Sequence, residues 1–230
     1  MKRMGVLGGM SAQATMDFET RVHRVAQRLI PPDYMRGYPP MVVWFHRGQP
    51  LRTGADGRFV EPRQIEPAVI DVATQLGPLV DFLVVPCNAV HAGLREIRAA
   101  SRRPVLSMIE TVADDVVRRM CRRVGLLGAR GVPQPYLDAL AERSVAVERI
   151  DAVLQAPLDA GIRAIMEGRE GKEHADAARA AVDELRGRGV DAVILGCTEI
   201  PLLLADEADA PDLIHPAALL ADAAVRFSIA

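Results

Sequence analysis

The segment Gly77–Cys87, GPLVDFLVVPC, returns 110 residues later as Gly187–Cys197, GRGVDAVILGC. Each copy places Val-Asp before four apolar residues, then one Pro or Gly, then a cysteine followed by a short polar residue. A second pair, MGVLGG from Met4 and VGLLGA from Val124, stands at an offset of 120 in the same order. Two landmarks repeated in order make the chain a tandem of similar halves. An apolar run without polar alternation, used as a strand, needs cover on both faces, as in parallel sheets flanked by helices.

The first half is expected to run strand 4–8, helix 12–30, strand 41–45, helix 64–77, strand 82–86, helix 89–101 and strand 104–107. The helices rest on apolar spacings of three and four, as in Ile65, Val69, Val72, Ala73 and Leu76. The second half is expected as strand 124–127, helix 134–143, strand 147–150, helices 157–167 and 173–188, strand 192–196, a short helix 201–205, strand 212–215 and a terminal helix 217–227. The fold class is therefore α/β: two pseudo-symmetric Rossmann-like domains with parallel sheets and an active site in the cleft between them. The first domain is expected over 1–105 plus 212–230, because the last helix must cover a sheet face, and the second over 106–211.

Composition limits the function. Of the 230 residues, 50% are hydrophobic and 25% charged, which describes a folded globular chain. A formal charge of −2 offers no basic surface for nucleic acid or anionic lipid, so the expected ligand is a small molecule. No stretch approaches about 18 consecutive apolar residues, so no membrane span is expected. Lys2-Arg3, the apolar run to Met10 and Ser11-Ala12-Gln13-Ala14 imitate a signal peptide, but Gly8-Gly9 interrupts the run and its repeat copy reads as a strand. The expected location is the cytoplasm.

Three widely spaced cysteines, Cys87, Cys121 and Cys197, form neither a disulfide framework nor a zinc pattern. Cys121, read in a helix among Arg118, Arg119, Arg122 and Arg123, has no repeat partner and is assigned to packing. Gly5-x-x-Gly8-Gly9 lacks both the G-x-G-x-x-G and the G-K-[ST] pattern, so no phosphate cradle is assigned. Cys87 and Cys197 end equivalent strands, and ligands of open α/β sheets bind beyond strand carboxyl ends. If the halves face each other about a pseudo-two-fold axis, the two thiols meet across one cleft, each before a helix N-terminus.

A thiol has a reference pKa near about 8.5, and a helix N-terminus or a nearby cation lowers it. One of a facing pair can then be thiolate while the other stays protonated, the pair titrating as a unit. That state removes a proton from one face of a carbon and returns one to the other, which inverts a stereocentre. Asn88 and Thr198 offer donors to a substrate carboxylate, and Ser11 in the turn Gly8-Gly9-Met10-Ser11 lies at the same rim.

GVLGGMS near the start, PCNAVH at 86–91, SMIE at 107–110, VGLLG at 124–128 and GCTEI at 196–200 resemble the cofactor-independent aspartate/glutamate racemases, in the aspartate and broad-specificity amino-acid branch. The resemblance implies a two-base racemase, an isomerase that interconverts L and D forms of a small acidic amino acid. It makes Cys87 and Cys197 the catalytic acid/base pair, Cys87 serving the D face and Cys197 the L face. It assigns Met10, Ser11, Arg52, Asn88, Ala89, Thr198 and Glu199 to the substrate, with Arg52 gripping a side-chain carboxylate. No pyridoxal phosphate, metal or nucleotide is implied, and homodimers are common in the family.

Three positions depart from the family pattern. Ala89 stands where a threonine is usual, Glu170 where a second cation is usual, with Arg169 or Lys172 as nearby substitutes, and His215 where an aspartate is usual. The substrate side chain therefore stays open. His91, one turn after Cys87, is read as either a tuning or a structural residue, and Glu110 as a hinge or supporting acid. A decarboxylase or maleate-type isomerase of the same superfamily, or a non-catalytic amino-acid sensor, are the rival readings; retention of both repeat-equivalent cysteines favours proton exchange on two faces.

Overall fold

The structure, a computed structural model, describes residues 1–32, 37–55, 59–131, 133–169 and 171–230. Glu170 and the Gly57 end of the loop carrying Arg52 lie outside the described residues. The chain forms two compact units, Met1–Met108 with Ala217–Ala230, and Ile109–Pro216.

In the first unit the elements are β1 (Met4–Gly8), α1 (Ala12–Leu29), β2 (Met41–Phe45), α2 (Pro67–Leu76), β3 (Phe82–Val84), α3 (Leu94–Ser101) and β4 (Val105–Leu106). The second unit takes most of α4 (Met108–Arg118), then β5 (Arg123–Leu127), α5 (Gln134–Ala141), β6 (Ala146–Glu148), α6 (Ala152–Met166), α7 (Lys172–Gly187), β7 (Ala192–Leu195), α8 (Ile200–Leu204) and β8 (Leu213–Ile214). The terminal α9 (Pro216–Ile229) returns to the first unit. The sheet orders are β2-β1-β3-β4 and β6-β5-β7-β8, and all pairings are parallel. The α/β class and the repeated halves are those the sequence predicts.

The central strands β1, β3 and β7 are apolar and buried at every position, as strands covered on both faces must be. Met4, Val6, Phe82 and Val84 pack with Phe18, Val22 and Val25 of α1 and with Leu220, Ala221 and Val225 of α9. Their alternate neighbours Leu7, Leu83 and Val85 pack with Val69, Ala73 and Leu76 of α2 and with Ile97 of α3. The period of two in a strand sends successive side chains to opposite faces, and burying each Val or Leu is worth roughly 1.5–3 kcal/mol. In the second unit Val193 and Leu195 meet α6, α7 and α8 in the same way.

The repeated aspartate has a structural reason. Asp81 accepts from the backbone N–H of Arg3 at 2.6 Å, and its own N–H donates to the Arg3 carbonyl at 2.9 Å. Asp191 accepts from Arg123 N–H at 2.8 Å and Arg122 N–H at 2.7 Å, and its N–H donates to the Arg123 carbonyl at 2.8 Å. In each half this residue clasps the backbone entering the neighbouring central strand. The two backbone donors hold the Asp191 carboxyl below the usual carboxylate range.

Several boundaries differ from the sequence expectation. The helix expected over 64–77 starts at Pro67, because Gln64 and Ile65 are used by the preceding arm: Arg52 N–H donates to the Gln64 carbonyl, and Leu51 bridges Ile65. The strand expected over 82–86 ladders only to Val84. The helix expected over 89–101 opens as a 3₁₀ segment, Ala89–Gly93, before α3. The helix expected from 157 begins at Ala152, since the Asp151 carboxylate caps it by accepting from Val153 and Leu154, both at 3.0 Å. Between strand 104–107 and strand 124–127 the sequence reading sets no helix bounds and only places Cys121 in a helix, whereas α4 lies there with Val112, Ala113 and Val116 buried. That helix ends at Arg118, so Cys121 is not helical; it follows Met120, whose φ of 58° breaks the helix, and sits buried in the turn before β5.

Candidate active site

Both catalytic candidates follow the third strand of their unit in chain order. In the first, Phe82 to Pro86 are buried, Cys87 is half-buried and Asn88 is buried again; in the second, Ala192 to Gly196 are buried, Cys197 is half-buried and Thr198 is buried. The same profile at equivalent strand ends exposes one sulfur per unit, at the carboxyl edge where this kind of sheet binds ligands.

The helix-dipole expectation is weaker than the sequence suggests. Cys87 precedes the 3₁₀ segment, with α3 starting only at Leu94, and Cys197 precedes α8, which has five residues. One helical turn carries little aligned dipole. Local hydrogen bonds therefore hold the two turns.

At the first turn, Cys87 N–H donates back to the Val85 carbonyl at 2.8 Å across Pro86. The Cys87 carbonyl lies 3.0 Å from His91 Nδ1, and His91 Nε2 accepts the Met108 N–H at 2.9 Å. Since that N–H can only donate, Nε2 offers its lone pair, and Nδ1–H is the donor to Cys87. Burial, first of all, pushes the His91 pKa down to about 4, with the Arg98 charge acting in the same direction, so the ring is neutral near pH 7. Asn88 is 5% exposed, and Ala89 opens the 3₁₀ segment.

At the second turn the Cys197 carbonyl accepts the Ile200 backbone N–H at 3.1 Å. Cys197 Sγ–H donates to Glu199 Oε2 at 2.9 Å, and Thr198 Oγ1 donates to the same oxygen at 3.2 Å. The sulfur bond uses the thiol proton, so it belongs to the protonated state of Cys197. Gly196 is required there: a Cβ would lie 2.5 Å from the Leu127 carbonyl oxygen at the end of β5. Tyr136 of α5 is fully buried beside this turn, and burial followed by the Cys197 charge pushes its phenol well above the usual range. Nothing in the sequence singles out Tyr136, because an aromatic in a helix reads as packing.

The β1 turn is well braced. Gly9 has φ of 81°, and a Cβ there would come within 2.4 Å of the Phe45 Cα, so β1 and β2 meet closely at their ends. Thr15 Oγ1 accepts Gly9 N–H at 2.8 Å and donates to the Ser11 carbonyl at 2.9 Å, while Ser11 Oγ caps α1 by accepting Ala14 N–H at 3.4 Å. Ser11 thus has a structural task, and Met10 beside it is half-buried.

Arg52 is exposed on the arm between β2 and α2, where Nη1 donates to Gln64 Oε1 at 3.1 Å. Of the substitutes for a second cation, Arg169 pairs with Glu167, and Lys172 is the exposed first residue of α7. His215 is buried between β8 and α9, and Glu110 is exposed in the first turn of α4. Among the described residues, no group of three or more His, Cys, Asp and Glu could hold a metal, and no helix is long and apolar enough to cross a membrane.

This arrangement of two parallel-sheet α/β units is shared with known proteins, and the match is specific. The chain belongs to the Asp/Glu/hydantoin racemase family, whose sequence model matches residues 7–224, and it is an isomerase of the amino-acid racemase type. It is 26% identical over 230 residues to the broad specificity amino-acid racemase RacX of Bacillus subtilis (strain 168), covering 99% of this chain and 98% of that one. A glutamate racemase of Aquifex aeolicus (strain VF5) is 31% identical over 129 residues, 54% of this chain, which spans 48% of that protein's length. Among solved structures, the aspartate racemase of Picrophilus torridus superposes with a TM-score of 0.80 at 18% identity, covering 99% of this chain and 94% of that one. An aspartate racemase homologue from Pyrococcus horikoshii OT3 gives 0.77 at 19% identity over the whole of both chains. These likenesses carry the fold.

Proposed function

We propose that the protein interconverts the L and D forms of a small acidic amino acid, with Cys87 and Cys197 as the two acid/base groups and no cofactor. The observation that carries this reading is the equivalence of the two cysteines: same strand position, same sheet order and same exposure profile in two separate units. A two-base racemase needs one group on each side of the α-carbon, and duplicated strand ends supply them if the two ends face one another.

In the proposed cycle, one thiolate removes the α-proton and the opposite thiol delivers its proton to the other face. Turnover leaves the two protonation states exchanged, ready for the reverse reaction. The geometry with the proton on Cys197 corresponds to the state in which Cys87 acts as the base, which the family resemblance links to the D enantiomer. Asn88 and Thr198 would hold the α-carboxylate, Glu199 the ammonium group, and Met10, Ser11 and Ala89 would border the substrate. Arg52 would meet a distal carboxylate once released from Gln64. The reading includes a cytoplasmic homodimer, which rests on the family resemblance.

The test is incubation with single L- and D-amino acids in heavy water, following α-proton exchange by NMR and optical rotation by polarimetry. Exchange with inversion, lost in both C87S and C197S, is the expected result. Inversion that survives either substitution would overturn the two-base assignment, and turnover restricted to neutral side chains would overturn the acidic substrate.

A further inference from the structure

We propose that His91 is a positioning residue for racemisation, a neutral bridge that joins the Cys87 carbonyl to the first backbone N–H of α4 and so aims the Cys87 thiol. The inference rests on the reading of Cys87 as one of the two acid/base groups. Its basis is the pair of hydrogen bonds that the ring makes just beyond the end of the β3 ladder. The β3 ladder ends at Val84, and beyond it Pro86 brings no N–H, while Cys87 N–H turns back to Val85. In the second unit the equivalent carbonyl takes a backbone N–H, from Ile200; in the first, the N–H of His91 goes instead to Asn88 at 3.2 Å, and the imidazole takes the cysteine carbonyl.

The other end of the ring meets a group with its own need. Met108 is the first residue of α4, and its N–H is one of the donors a helix leaves without an intrahelical partner. His91 Nε2 satisfies it at 2.9 Å. One buried ring therefore fixes two backbones: the strand end that carries the sulfur, and the segment through which the chain leaves the first unit at Met108. Protonation at Nε2 would set N–H against N–H, so the bridge requires the neutral ring, which burial and the charge of Arg98 favour.

The experiment compares H91F, H91N and H91Q in the full chain. Asn places an amide donor near the Nδ1 position, Gln places an acceptor near the Nε2 position, and Phe keeps volume without either. Three quantities are read: kcat and KM for racemisation, the ratio of iodoacetamide alkylation at Cys87 to that at Cys197 within the same molecules, and the thermal midpoint. The expected result for H91F is a fall in kcat of at least about tenfold with KM nearly unchanged, and a shift of the alkylation ratio by roughly threefold or more, since Cys197 serves as internal control. H91N, which keeps the link to Cys87, should recover more of kcat than H91Q.

A folded H91F with unchanged kcat and alkylation ratio overturns the proposal. So does a loss confined to the thermal midpoint, which is what a merely structural histidine would give. Should H91F fail to fold, the ratio and kcat in H91N against H91Q decide the same question, and equal behaviour of the two overturns it. If C87S still racemises, the acid/base reading has failed, and the alkylation ratio alone reports whether His91 aims this thiol.

Discussion

At Cys87 the chain leaves its strand through Pro86 and hands the cysteine carbonyl to an imidazole; at Cys197 it leaves through Gly196 and hands the carbonyl to the backbone N–H of Ile200. The second turn binds the sulfur itself, through Glu199, and is pressed against the end of β5. The difference teaches that duplication preserved the position of each thiol, not the means of holding it. Under the proposed two-thiol reading, the groups on the two sides need not be mirror images even though the substrates are, because only the placement of each sulfur and its proton would enter the reaction.

The largest test of equivalence is chemical. C87S and C197S should each lower racemisation by about 10³-fold, or about 4 kcal/mol of transition-state stabilisation, measured by polarimetry. The equilibrium constant between enantiomers in water is unity, so within each variant kcat/KM must fall by the same factor for the L and D substrates. A variant retaining near-native turnover would show that the two turns are alike in form only.

The next test separates the turns by pH. His91 is held near about 4 in the folded protein against an ordinary 6.5, so the unfolded chain binds more protons between these values. Its contribution to stability is complete above pH 6.5 and is lost as the pH falls through 6.5 toward 4, by about 3 kcal/mol in all. Urea denaturation at pH 7 and 4.5 should reveal this loss, and H91F should show a smaller difference between the two pH values. The second turn carries Pro201 at the corresponding position, a residue without a titratable side chain. An identical pH slope in H91F would break this distinction.

Packing distinguishes them more gently. G196A forces a methyl against the Leu127 carbonyl and should cost about 2 kcal/mol, whereas P86A should cost about 1 kcal/mol or less, chiefly by loosening the unfolded chain. Equal losses in chemical denaturation would mean that the two strand ends are equally confined. The smallest effect on stability is expected from E199Q, which keeps an acceptor for the Cys197 thiol but removes a charge. A fall of about tenfold in kcat at an unchanged melting temperature is expected, and no fall would assign Glu199 to structure alone.

Much of this was legible beforehand, for identifiable reasons. The strands around Val6, Leu83 and Val193 announce themselves because a strand covered on both faces must be apolar at every position. The cysteine pair was visible because the repeat aligns Cys87 with Cys197, and the aspartates 81 and 191 were kept for a backbone clasp that the repeat motif already contained. The 3₁₀ opening at Ala89 and the late start at Pro67 were not visible, since short helical turns and arm pairings depend on which distant carbonyl is within reach. Helix α4 carries a buried stripe at Val112, Ala113 and Val116 that the sequence reading leaves unbounded, and the arginine run after it reads as helical although the helix ends at Arg118, before Cys121.

Sequence alone determined the tandem of parallel-sheet units, the two strand ends that carry thiols and the family to which they belong, because apolar runs, glycine turns and repeats are properties of consecutive residues. Tertiary structure decided what surrounds each thiol. His91 reaches Met108 across 17 residues, and Gly196 meets Leu127 across a strand pairing. Such contacts exist only once separate segments have packed, and it is they, not the local motif, that set hydrogen-bond partners, burial and the protonation of His91.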